Sequence, residues 1–183
     1  MKLEKLEKDN YYHIYNKGIN GCSIFSNDEN KIYFLKQLGN YLMKEASIYS
    51  YCLMDNHFHL VVKINGDGDI ATQNFSNFFN SYAKAFNKQN NRTGSLFEKH
   101  FKRIRLENEE YLRNLILHVH LNPTHHLGLN YKEHKFSSFQ SFLSNKETKM
   151  ERKEVLELFG GIDNFIFCHN QNKDFLIEKH FLE

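Results

Sequence analysis

Positions 11–17 (YYHIYNK) alternate apolar and polar side chains and are rich in Tyr and Ile, a pattern that predicts a β-strand. A turn containing Gly18 and Gly21 follows. Asn27 or Asp28 can cap a helix that reaches about Glu45, with Ile32, Leu35, Leu38 and Leu42 on one face. Residues 47–54 (SIYSYCLM) and 57–65 (HFHLVVKIN) read as two strands joined through Asp55-Asn56, close enough to form a hairpin. After Gly66 and Gly68 a helix runs from about Ile70 to Lys88, with Phe75, Phe78, Phe79, Tyr82 and Phe86 at helical spacing. Residues 90–94 form a polar loop, and 96–106 (LFEKHFKRIRL) predict a fourth, strongly basic strand. Asn108 is a fitting N-cap for a further helix. That helix is expected to end at Asn122-Pro123, because a residue before proline resists the helical region.

Short helical pieces are expected at 137–143 and 152–159, and a helical tail from Lys173, with Gly160-Gly161 as a break. The order strand, helix, strand, strand, helix, strand, helix predicts an α+β fold of ferredoxin-like kind. We expect a four- to five-stranded antiparallel sheet with helices packed mainly on one face. The expected division is a main domain over 1–143 and a small C-terminal helical extension over 144–183, docked back through the apolar patch Phe165, Ile166 and Phe167.

Composition narrows the class. With 183 residues, 40% hydrophobic and 25% charged, the chain is globular rather than disordered and long enough for a sizeable core. No run is long and apolar enough for a membrane span, and the charged start MKLEKLEKDN has no signal-peptide core. Three scattered cysteines (Cys22, Cys52, Cys168) fit a reduced, cytoplasmic setting better than a disulfide framework.

Net charge is only +2, but its distribution is uneven. From Lys84 to Arg105 there are seven basic residues (Lys84, Lys88, Arg92, Lys99, Lys102, Arg103, Arg105) against one acid, Glu98. From Glu147 onward acids outnumber bases eight to five. A solvated charged surface would explain this; so would a surface for a polyanion. Lys84 and Lys88 on the helix, with Lys99, Lys102, Arg103 and Arg105 on the basic strand, suit neutralisation of a nucleic-acid backbone. Arg103 and Arg105 share a face by alternation. Phe97, Phe101 and the Tyr11-Tyr12 pair could stack on unpaired bases, although core packing is the commoner fate of any one ring.

The most telling pattern is His57-Phe58-His59 inside a strand. Alternation puts both imidazoles on one face, ~6–7 Å apart at Cα, where they can converge on one cation. Two surface histidines on a half-buried strand would read the same way. His118 and Asn122, spaced i and i+4, share a helix face beside the apolar set Leu112, Leu115, Ile116 and Val119. An Asn carbonyl suits Mg²⁺ or Mn²⁺; equally, Asn122 could serve only as a helix terminator. His120, His125, His126 and His134 carry no such spacing and are read as surface residues.

Four segments, Tyr11–Gly18 (YYHIYNKG), Tyr51–Leu60 (YCLMDNHFHL), Gly94–Glu98 (GSLFE) and His120–Pro123 (HLNP), together resemble the REP-associated tyrosine transposases, a branch of the single-tyrosine HUH transposases. The resemblance spans about residues 11–143. It implies that His57 and His59 bind a divalent metal, Mg²⁺ or Mn²⁺, with Asn122 as third ligand. It also implies that the metal polarises a scissile phosphate of single-stranded DNA beside a hairpin. A tyrosine four residues before the Asn would attack phosphorus, and the covalent phosphotyrosine would conserve the energy needed for rejoining. Relatives of this fold act as monomers or homodimers.

At that decisive position this chain has His118, not Tyr. Four consequences are open. The protein binds DNA hairpins without cutting, as a domesticated regulator. Or another tyrosine serves: Tyr111, seven residues earlier and ~10 Å down the helix, or Tyr82. Or His118 itself attacks and forms a phosphohistidine. Or His118 joins as a fourth ligand, closing the site and favouring Zn²⁺. A rival class, an RNA-binding ferredoxin-like domain, is disfavoured because the aromatic pattern of such domains is missing from the central strands.

Overall fold

The computed structural model describes residues 4–172. Four strands, β1 (Tyr11–Lys17), β2 (Ala46–Leu53), β3 (His57–Ile64) and β4 (Lys102–Leu106), form one sheet in the order β2-β3-β1-β4. All neighbours are antiparallel. With helices α1 (Asp28–Leu42) and α2 (Gly68–Gln89) as the two crossovers, this is the expected ferredoxin-like βαββαβ arrangement. Helices α3 (Glu109–Leu127), α4 (Phe139–Leu143), α5 (Arg152–Leu158) and α6 (Ile162–Asn172) follow. The expected tail from Lys173 lies outside the described residues. Among those described, no helix is long and apolar enough to cross a membrane.

The caps explain the helix starts. The Asn27 side chain accepts from Asn30 N–H, Asp67 from Asp69 and Ile70, and Asn108 from Tyr111, each quenching an orphan amide of a first turn.

The sheet separates two cores. Tyr12, Ile14, Phe58, Leu60 and Val62 face α1 and α2, where Phe34, Phe75, Phe78 and Phe79 pack. Tyr49, Cys52, Val61 and Leu106 face α3 and the helices after it. A β-bulge between Ile48 and Ser50 switches the parity of β2, so Ile48 and Leu53 both reach the first core. The helices therefore cover both faces, rather than mainly one, because α3 is buried around most of its circumference, its polar His118, His120 and Asn122 included. Its buried set runs unbroken from Leu115 to Pro123.

Three boundaries differ from the sequence reading. The fourth strand is shorter than 96–106. Only Lys102–Leu106 is regular, because His100 has φ 55° and breaks the extended chain, leaving Phe97 as a lone bridge to Gly18. α3 does not stop at Asn122-Pro123. Packing on both sides carries it to Leu127, where Gly128 at φ 64° ends it by donating to the Pro123 and Thr124 carbonyls. α6 lies between the helical pieces expected from the sequence and carries the patch expected to dock back. Phe165 is buried, while Phe167 is exposed. Ser47 and Tyr49 hydroxyls donate to Glu151 and Glu154, fastening the segment that ends in α5 to β2.

Candidate functional site

Alternation along β3 puts His57, His59 and Val61 on the α3 side of the sheet. The β2–β3 turn fixes where the first of them begins. The Asp55 carbonyl accepts from Ile24 and Phe25 N–H, and the Asn56 carbonyl from Gly18 N–H. Lys31 Nζ holds the Asp55 carboxylate at 2.6 Å. α3 then crosses this face and delivers Asn122, fully buried, between the two rings. His57 Nε2 lies 3.1 Å from Asn122 Oδ1, and His59 Nε2 lies 3.4 Å from Asn122 Nδ2. The rings of His57 and His59 stand nearly perpendicular with centroids 5.2 Å apart.

Both imidazoles are oriented from behind. His57 Nδ1 is 2.7 Å from Asn56 Oδ1, and His59 Nδ1 is 2.9 Å from His13 Nε2. His13, buried on β1, stacks on Tyr15 at 4.5 Å and on His59 at 5.1 Å. Ligand histidines held at the second nitrogen have a fixed tautomer and aim. Burial holds the pKa of His57 below the usual imidazole range and that of His59 well below it. Burial likewise pushes His13 down to about 3 and His118 to about 4, with neighbouring imidazoles adding to the effect. The cluster is neutral at pH 7, so ring lone pairs are available.

The donor set fits a cation. Asn56 Oδ1 can only accept, so His57 Nδ1 carries the proton in that contact. Neutral His57 then turns a lone pair at Nε2 toward Asn122 Oδ1, an acceptor facing an acceptor. A cation shared by the two atoms removes the conflict. A half-turn of the amide with a tautomer change at His59 is the metal-free way to satisfy it. The amide oxygen suits a hard cation such as Mg²⁺ or Mn²⁺, whereas imidazoles suit Mn²⁺ or a softer ion. Among the described residues no group of three or more His, Cys, Asp or Glu side chains is arranged for a metal ion. His118, 5.9 Å from His59 between centroids and edge-on to it, does not complete an all-histidine cluster.

A cavity of about 740 Å³ opens onto the pair, walled by Tyr15, Lys17, His57, His59, Glu98 and Lys102 among others. His118, 2% exposed, and Asn122 are buried beside the pair and are not part of that wall. Tyr111 sits in the first turn of α3 and is not part of it either. Tyr82 is buried on the opposite side of the sheet, donating to the Ile24 carbonyl.

The basic residues divide between the faces. Lys102 pairs with Tyr15 in the β1–β4 register and lines the cavity. Arg103 and Arg105 pair with Ile14 and Tyr12, so they point to the other side of the sheet. There Arg103 donates to Thr72 Oγ1 at 3.2 Å, and Arg105 pairs with Glu7 at 2.9 Å. Lys84, Lys88 and Lys99 are exposed. Phe101 and Tyr12 are core residues, and Phe97 packs against the same core.

Sequence reasoning missed three participants. His13 and Tyr15 carry the α3-side parity of β1, the same as His57 and His59 on β3, which was the available signal. His126 lies 5.4 Å from His57 between ring centroids, one turn after Asn122. His120, read as a surface residue, is fully buried against His169 and Ser138. Its partner lies 49 positions away, so local pattern could not reveal it.

No protein-family model and no curated protein matches the chain. Among solved structures, the REP-associated tyrosine transposase bound to a REP hairpin is similar, with TM-score 0.60 over 79% of this chain and 85% of that one at 14% identity. The tRNA(His) guanylyltransferase of Saccharomyces cerevisiae aligns at TM-score 0.38 and 16% identity over 90% of this chain and 84% of that one, too loosely to carry an argument. The first likeness establishes a shared α+β fold and supports a distant structural relationship.

Proposed function

We propose that this chain is a transposase-like DNA-binding protein of the HUH kind. In this reading it holds a divalent ion on His57, His59 and Asn122 and engages single-stranded DNA beside a hairpin. The observation that carries this reading is the meeting of two β3 imidazoles and one α3 amide at 3.1 and 3.4 Å, beside a cavity bordered by Lys17 and Lys102. The solved transposase, described as bound to a REP hairpin, lends the fold and the class of partner.

An ion held there would supply Lewis-acid polarisation of a phosphate oxygen. The chain's own groups do the rest. Asn56 and His13 keep the two ligand rings aimed, and Lys102 offers a cation to the DNA backbone. For cleavage and rejoining, His118 stands where the resembling family has its tyrosine. Its neutral ring is the nucleophile this reading assigns: a nitrogen–phosphorus bond forms as the bond to the 3′ oxygen breaks, and the N–H proton lost by the phosphorylated ring passes through water to that oxygen, which leaves as a hydroxyl. A second reading, a hairpin-binding regulator that does not cut, is favoured by the burial of His118 outside the cavity wall.

One experiment separates the two. The protein is mixed with a labelled DNA hairpin carrying unpaired flanks, with and without Mn²⁺, and run on native and denaturing gels. A denaturant-resistant adduct lost in His59→Ala supports cleavage. A native shift without an adduct supports the regulator. No shift at any salt concentration overturns both.

A further inference from the structure

The outer face of α2 carries a row of exposed side chains at helical spacing: Gln73, Asn77, Asn80, Lys84 and Lys88. The opposite face is aromatic, and every ring of the helix (Phe75, Phe78, Phe79, Tyr82, Phe86) is buried in the core. At 1.5 Å per residue the row spans about 22 Å, roughly two thirds of a turn of B-form DNA.

The row has charge of one sign. No Asp or Glu occurs from Ile70 to Phe97, a stretch that contains Lys84, Lys88 and Arg92. A face that serves only solubility mixes both signs, as α5 does with Lys153 and Glu157 3.8 Å apart. The helix dipole accounts for Lys88, in the last turn, but not for Lys84 or for the amides ahead of it. Lysine and side-chain amide N–H groups are the donors that phosphate oxygens accept from.

The row also favours one kind of nucleic acid. Unpaired strands are gripped by stacking their bases on exposed rings, and α2 turns all of its rings inward. A duplex hides its bases and presents phosphates along a stiff backbone, which a straight row of donors can follow. Lys84 and Lys99 border the recess between α2 and the segment leading into β4. Asn16 and Glu98 line both that recess and the His57–His59 cavity, so the row runs toward the cavity. Glu98, the acid at the junction, is paired with Lys17 at 3.6 Å, which offsets its repulsion of phosphate.

We propose that the exposed face of α2 is a docking surface for duplex DNA, the stem of a hairpin whose unpaired flank enters the His57–His59 cavity. This rests on the DNA-binding reading under Proposed function and gives the paired part of that ligand its own surface.

Fluorescence anisotropy across a salt series tests it with two labelled probes, a blunt DNA hairpin and an unstructured oligothymidylate. In Lys84→Gln/Lys88→Gln, the slope of log affinity against log salt should fall by about two on the hairpin and stay unchanged on the oligothymidylate. Asn77→Asp/Asn80→Asp keeps the acceptor that Gln73 Nε2 reaches at 2.9 Å but adds negative charge to the row. It should weaken the hairpin about ten-fold and spare the oligothymidylate. Lys153→Gln, on α5, should alter neither probe. An unchanged hairpin slope in the lysine variant, no weakening by the added acids, or losses of the same size on both probes overturns the stem surface and leaves the DNA-binding reading standing. If neither probe binds the wild-type chain, that reading fails and the stem surface fails with it.

Discussion

The buried pair His120 and His169 makes a quantitative prediction about acid. His169 Nδ1 donates to the Phe165 carbonyl at 2.7 Å, so in the neutral ring Nε2 accepts from His120 Nδ1–H at 2.9 Å. His120 Nε2 then accepts from the Ser138 hydroxyl at 2.8 Å. Each ring is satisfied only while neutral. Burial lowers His169 to about 4 and His120 well below its ordinary range. Both return to about 6.5 in the unfolded chain. Between these values the unfolded state binds more protons. The stability is therefore fully present above about pH 6.5 and is lost as pH falls toward 4. For His169 alone, going from pH 7 to 5 should cost about 2 kcal/mol. Urea unfolding followed by circular dichroism at the two pH values measures this. In His169→Phe, neutral-pH stability falls by about 1–3 kcal/mol, because His120 Nδ1–H loses its acceptor. The drop from pH 7 to 5 should shrink by about 2 kcal/mol, since one titrating group has gone. An equal acid drop in wild type and variant would refute the assignment of that titration to His169.

Other outcomes follow from the same geometry. His118→Tyr should create, or raise at least tenfold, a denaturant-resistant DNA adduct, because the His57, His59 and Asn122 cluster is untouched; an inert variant that still binds Mn²⁺ would count against a cutting role for position 118. Lys102→Ala should reduce the slope of log affinity against log salt by about one, while Arg105→Ala, already paired with Glu7 on the far face, should leave it unchanged; equal effects would show that the sheet does not separate their roles. Gly18→Ala should destabilise the β2–β3 turn end by about 2 kcal/mol or more, since a Cβ there would stand 1.9 Å from the Cys22 carbonyl oxygen; a thermal melt within a degree or two of wild type would refute this.

Much of the framework was readable because short-range alternation decides it. β1 and β3 lie at or within one residue of where YYHIYNK and HFHLVVKIN predicted them, and parity alone put His57 and His59 on one side. Where tertiary packing overrode local signals, the reading failed. Pro123 looks like a terminator, yet α3 is gripped on both sides and continues to Leu127. LFEKHFKRIRL looks like one strand, yet its rings serve the α2 core and His100 breaks it. The division of basic residues between faces was half legible: Arg103 and Arg105 share a side, but only the β1–β4 register reveals that it is opposite to the histidines. His120 was illegible as a buried group, since it bonds an imidazole 49 positions away, whereas strand parity gave the side of His13 but not its partner.

The alternation that assembles the histidine cluster also governs how the gene can change. His13, Tyr15, His57 and His59 occupy odd positions of two adjacent strands. An insertion or deletion of one codon within β1 or β3 would turn these side chains into the phenylalanine core and bring Tyr12, Ile14 and Phe58 to the histidine side. For these two strands, length variation among descendants of this chain is thereby confined to the connecting loops, or to paired codons within the strand.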